Sequence, residues 1–140
     1  MKLEILATTV LLSTICLAAP AKAANPAQVK QLMQTGQCAG CDLQGANLRG
    51  AHLIGADLRD ANLKGANLES ANLEGADLTS ANLKGADMTR VFASDASLHD
   101  TNLTGVKLSG AKLDNADMHG AILAGVDLSR SKLYGSNLSP

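Results

Sequence analysis

The chain reads as an all-β solenoid, and three observations predict it. A large apolar residue returns at every fifth position from Leu43 to Leu138 except at Ala93, a small residue, in places Val, stands two places before each, and Gly closes eleven of these twenty repeats. Thirteen Gly against three Pro, and 46% hydrophobic residues with Phe92 and Tyr134 as the only aromatics, suit a periodic architecture better than a conventional core or a disordered chain.

The period decides the element. On an α-helix five residues advance the phase by about 500°, a net 140°, which smears the leucines around every face. In one continuous strand an odd period sends alternate leucines to opposite faces and leaves half of them wet. What remains is a three-residue extended piece followed by a corner. The small and large positions point in, the Asn or Asp between them points out, and the corner falls on Gly, which reaches φ > 0 without steric cost. Four right-angle corners return the chain after twenty residues. Residues 41–140 then make five coils, about 24 Å tall at about 4.8 Å per layer.

The segments before the repeat have separate roles. Met1-Lys2, the apolar stretch from Ile5 to Ala19 and the small-x-small triplet Ala21-Lys22-Ala23 predict a signal peptide, 1–23, cleaved after Ala23. The stretch is shorter than the roughly 20 residues of a membrane span. Ser13-Thr14-Ile15 before Cys16 do not form a lipoprotein signal, so no membrane attachment is expected after cleavage. Cleavage of 23 residues from 140 leaves 117, with 10 basic and 12 acidic side chains. In segment 24–40, Asn25-Pro26 is a helix start, Val29, Leu32 and Met33 share a face, and Gly36 is a stop; a helix over 27–35 is expected to cap the first coil.

Ala61-Asn62-Leu63-Lys64-Gly65, repeated in register across 41–140, resembles the pentapeptide repeat family. The resemblance implies a right-handed, four-sided β-helix without enzymatic activity or cofactor. Together with the export signal, it looks like the family members of the cyanobacterial periplasm or thylakoid lumen. Other members mimic DNA and protect gyrase. This chain departs from those in its export signal, its small net charge, and the basic columns Lys64/Lys84 and Lys112/Lys132 that interrupt any acidic track. No nucleic-acid partner is expected, since neither a basic footprint nor an aromatic stacking platform is present.

Four groups of residues are candidate sites. Cys38-Ala39-Gly40-Cys41 follows the C-terminal end of the expected helix, whereas a redox thiolate favours a helix N-terminus, and zinc needs further ligands that are not nearby. A structural disulfide is the expectation, with buried thiols and redox or metal chemistry as alternatives. The resemblance supports the bridge, because exported members with a Cys-x-x-Cys-Asp-Leu start look similar. His99 and His119 are twenty apart and should stack on an outer face; with Asp117 nearby they form a weak metal or solute candidate against the plainer reading of a solvated surface. Phe92 precedes Ala93, the one small residue in the large slot, and is expected to swing inward at a local defect in coil three, with an outward partner anchor as the alternative. Leu123, Leu128, Leu133 and Leu138 form a last coil with no predicted cap, which should pair with itself in a two-fold dimer or with another protein. The Gly columns are corners, not phosphate loops, and the carboxylates are scattered over a convex prism, so enzymatic chemistry is not expected. The predicted function is that of an exported structural or protein-interaction rod.

Overall fold

The structure, a computed structural model, describes residues 23–140. The predicted leader, Cys16 included, falls outside the described residues except for Ala23. From Gln37 onward the chain pairs with itself twenty residues later, through parallel bridges such as Gln37 to Asp57, Asp57 to Asp77 and Asp117 to Asn137. The result is a right-handed, four-sided β-helix.

One repeat shows how the ladder works. Asn62 donates its N–H down to the Cys41 carbonyl (2.8 Å), and Leu63 donates up to the Asn82 carbonyl (2.8 Å). At the corner Ala66 N–H returns to the Leu63 carbonyl at 3.0 Å, with Gly65 at φ 66°. That is a turn with its left-handed residue in third place, the type II arrangement that selects Gly. Asp60, Ser70, Ser80, Arg90, Asp95, Asp100 and Asn115 take the same conformation without being Gly.

The middle Asn or Asp also has a structural task. Its side-chain oxygen turns back to accept the N–H two residues on, as in Asn67 to Glu69, Asp77 to Thr79 and Asn102 to Thr104, each at 3.0 Å. This local bond pins the corner and accounts for the residue type, since Asn and Asp have the reach for it. Leu48 to Leu83, Met88 and Leu98 fill the interior with the small residues between them. Thr101 is buried as well, because its hydroxyl donates to the Leu78 carbonyl at 3.0 Å. Ser131 and Ser136 repeat the device against Leu108 (2.9 Å) and Leu113 (2.6 Å).

The helix α1 spans Pro26–Thr35, one residue earlier than expected. Asn25 Oδ1 accepts the Ala27 N–H (3.0 Å), and Gly36 closes the helix in the left-handed region. Of its expected apolar face, Leu32 is buried and Val29 packs against the core, whereas Met33 is 52% exposed. The solenoid begins one repeat before the predicted boundary at Cys41. Gln37 is already in the ladder, Cys38 N–H donates to the Asp57 carbonyl (2.8 Å), and the Cys38 side chain is buried in a leucine slot. The Cys-x-x-Cys segment is therefore part of coil one.

Coil three corrects a second expectation. Phe92 does not swing inward: it stays in the outward slot, 40% exposed, with Lys112 Nζ 4.5 Å from its ring centroid, while Ala93 is fully buried. Phe92 bridges both Asn72 and Lys112, so the ladder passes through unbroken. Turning the ring inward would require reversing the pleat, and the backbone bonds on both edges hold it. The irregularity lies instead in the last coil, at 126–130.

Candidate interaction surfaces

The inward leucines of the last coil stand at the end of the core. Leu123, Leu128 and Leu133 pack on it from one side and remain partly exposed, and Leu138 is 40% exposed. The four leucine N–H groups have no hydrogen-bond partner among the described residues, whereas the same groups in lower coils, Leu108 excepted, donate upward. Tyr134, at 85% exposure, stands on a corner of this coil. The coil therefore presents an apolar rim and a strand edge together.

The opposite end is covered. Gln28 Oε1 accepts the Asp42 N–H at 2.7 Å, and Gln31 Nε2 donates to the Gln37 carbonyl at 2.8 Å. Side chains of α1 thus satisfy edge groups that a preceding coil would pair. The apolar helix face was legible in the sequence; these two glutamines were not, because an amide acting as a surrogate strand leaves no periodic trace.

Cys38 and Cys41 meet at this covered end, with Cα atoms 5.2 Å apart and Sγ atoms 2.09 Å apart. Both are buried, and Cys38 Sγ lies 3.5 Å from the Gln28 carbonyl. The pair links α1's landing site to coil one and is closed to solvent.

His99 and His119 lie face to face, with ring centroids 5.1 Å apart and planes inclined by 14°. His99 Nε2 is 3.0 Å from Asp100 Oδ2, and His119 Nδ1 is 2.8 Å from Ser139 Oγ. Asp117, the third candidate, is occupied elsewhere: its Oδ1 accepts the His119 N–H (3.1 Å) and the Asn137 amide (3.1 Å). Among the described residues no group of three or more His, Cys, Asp or Glu is placed to hold a metal ion.

The side faces carry ion pairs both within a coil and between coils. Asp57 receives Arg59 through two bonds, 2.8 and 2.7 Å, and the guanidinium holds its carboxyl below the usual range, against the cost of burial, while raising Arg59. At Asp87 burial pushes upward, but Thr89 and the Lys107 ammonium outweigh it and lower the carboxyl. Glu69 lies between Arg49, at 3.0 Å, and Arg90. These pairs neutralise the faces locally and leave no continuous track of one sign.

The model of the family described as pentapeptide repeats matches residues 37–75, 56–92 and 101–139. The chain belongs to the pentapeptide repeat family. Among solved structures, this pentapeptide-repeat chain is similar to alr5209 from Nostoc Pcc 7120, with 33% identity and a TM-score of 0.65 over 79% of this chain and 97% of that one. It is also similar to Rfr23 from the cyanobacterium Cyanothece 51142, with 31% identity and a TM-score of 0.65 over 79% and 92% of the two chains. QnrB1, a plasmid-mediated fluoroquinolone resistance protein, shares the fold at 24% identity and a TM-score of 0.62, over 71% of this chain and 51% of its own. No curated protein matches the chain.

Proposed function

We propose that the chain is a non-enzymatic, exported structural module: a short rigid rod that works by contact and docks through its C-terminal coil, in the first place with a second copy of itself. The upper edge of coil five carries this reading. That edge offers an N–H from each leucine and a carbonyl from the small residue two places before it, as in Leu123 and Ala121. Such an edge is self-complementary under a two-fold axis, because in antiparallel pairing the N–H of residue i meets the carbonyl of residue i − 2 in the other copy. The same contact removes four leucine side chains from water on each side. A different protein with a free strand edge is the alternative occupant.

Export is supported by the leader pattern of 1–23 and by the exposure of Ala23, its expected cleavage residue. In an oxidising compartment a Cys38–Cys41 bridge is stable, and the Cα separation of 5.2 Å lies within the range that a bridge requires. Among the described residues no helix is long and apolar enough to cross a membrane. A DNA-mimic role is not favoured, since the basic columns Lys64/Lys84 and Lys112/Lys132 interrupt any acidic track around the rod.

A cysteine placed at either end tests which end docks. Ser139→Cys should yield a covalent dimer under mild oxidation, and Gln34→Cys, on exposed α1, should not. Equal crosslinking of the two variants, or none, would remove the C-terminal coil as the contact.

A further inference from the structure

One corner breaks the rule of the solenoid, and a cleft opens beside it. Every fifth residue from Gly40 to Gly135 has φ between 54° and 72°, Arg130 alone excepted. Gly110 N–H donates to the Arg130 carbonyl (3.0 Å), whereas the neighbouring corners Gly105 and Asn115 donate to Ala124 and Tyr134, one place earlier in register. Between these corners the strand 126–128 leaves the ladder. Ile122 pairs with Asn102 and Lys132 with Lys112, but Asp127 makes no bridge to Lys107.

The missing pair leaves two groups without partners. On the adjoining face Leu103 N–H donates to the Ile122 carbonyl, and Ile122 N–H donates to the Thr101 carbonyl, both at 2.9 Å. The equivalents here, Leu108 N–H and the Val106 carbonyl, have no hydrogen-bond partner among the described residues, although Leu108 is 2% and Val106 3% exposed. Buried main-chain groups are rarely left in this state, and an occupant normally meets them. A cleft of about 330 Å³ stands where the contact would be, rimmed by Thr89, Lys107, Ser109, Asp127 and Arg130.

The chemistry around the cleft selects the occupant. Asp127 Oδ1 accepts the Ser129 N–H (2.9 Å), and the Ser129 hydroxyl and amide, with a smaller contribution from the Arg130 charge, hold that carboxyl low, so its hydrogen bonds are committed to its own corner. Lys107 is bound to Asp87 at 3.3 Å, while Arg130 has no carboxylate within ion-pair distance among the described residues. The cleft thus offers one buried acceptor, one buried donor two residues further along the strand, and a guanidinium that feels the Asp127 charge but makes no contact ion pair. We propose that it binds the C-terminal residue of an extended peptide. The N–H of that residue donates to the Val106 carbonyl, its carboxylate accepts from Leu108 N–H, and Arg130 balances the charge. A terminal residue presents the donor–acceptor pair that Asp127 withholds, together with the negative charge that Arg130 calls for.

Titration of the ¹⁵N-labelled chain with N-acetylalanine tests this, because that molecule is one amide N–H beside one carboxylate. Saturable shifts at Leu108 and Asp127 are expected. N-acetylalanine amide, which lacks the charge, and acetate, which lacks the N–H, should each bind at least tenfold more weakly. Arg130→Gly removes the guanidinium and favours the left-handed corner that closes the ladder; it should abolish the shifts without lowering Tm. Arg130→Gln should weaken binding at least fivefold. Absence of saturable shifts, equal binding of the acid and its amide, or undiminished binding to Arg130→Gly would overturn the assignment and leave the cleft a hydrated gap.

Discussion

Gln28 Oε1 accepts the Asp42 N–H at 2.7 Å, in the place that the Cys41 carbonyl takes against Asn62 one coil higher. A single helical side chain thereby stands in for a missing strand. The helix closes the polar edge of the solenoid as well as its apolar end, and the two ends of the rod differ in this respect.

If Gln28 is a surrogate strand residue, its truncation should cost what losing the partner of a part-buried amide costs. Gln28→Ala is expected to lower stability by about 1–3 kcal/mol. Gln34→Ala, on the exposed side of the same helix, should change it by less than about 0.5 kcal/mol. Urea unfolding of the two variants compares them directly.

The inward assignment predicts a sharp contrast between neighbours. Leu63 is fully buried and Lys64 is exposed at the adjoining corner. Leu63→Asp should destabilise by more than about 4 kcal/mol, because an unpaired charge replaces a core side chain. Lys64→Asp should leave Tm within a few degrees of the parent. Equal melting temperatures would refute the placement.

Corners held left-handed by residues other than Gly store a modest strain. Ser80 has φ 59°, and Ser80→Gly should stabilise the chain by about 1 kcal/mol, since left-handed backbone costs an L-residue about 1–2 kcal/mol. Gly85→Val, at φ 68° and with open space around its Cβ position, should destabilise through backbone strain alone. Thermal melts of the pair separate conformational cost from packing.

Three carboxyls, Asp57, Asp87 and Asp127, are held below the ordinary Asp value of 3.8. A depressed folded-state pKa stabilises the fold above the unfolded value and loses that contribution as pH falls through the folded one. Stability should therefore be level above about pH 5 and decline as pH drops below about 4. Arg59→Gln should flatten part of that decline by returning Asp57 toward its unfolded behaviour, which acid titration followed by circular dichroism would detect.

The Cys pair gives a further measurable difference. The loop closed by the proposed Cys38–Cys41 bridge is short, so reducing that bridge should cost roughly 2 kcal/mol, at the low end for a disulfide. The loss should appear first as exchange of α1 amides, because the pair lies where the helix lands. Unchanged melting after reduction would mean that packing alone seats the helix.

How much of this was legible in the sequence follows from what repeats and what does not. The five-residue period compelled the corner, the inward leucines and the stacked columns, and His99 and His119 lie face to face because twenty residues make a coil. Phe92 misled, since volume alone suggested an inward ring where ladder bonds on both edges keep it outside. Gln28, Gln31 and the open strand at 126–130 left no sequence signal. Arg90 occupies the same column as Arg130 and adopts the left-handed corner, so residue type does not distinguish them.

In the proposed function the rod works through the upper edge of its last coil. Light scattering of the purified chain over a wide concentration range, with Leu138→Asp beside the parent, reads this contact. Leu138 is already 40% exposed, so that variant should keep the parent's circular dichroism. The parent should pass from monomer to dimer with concentration, and the variant should stay monomeric. A parent that is monomeric throughout, or a variant that dimerises equally well, would contradict it.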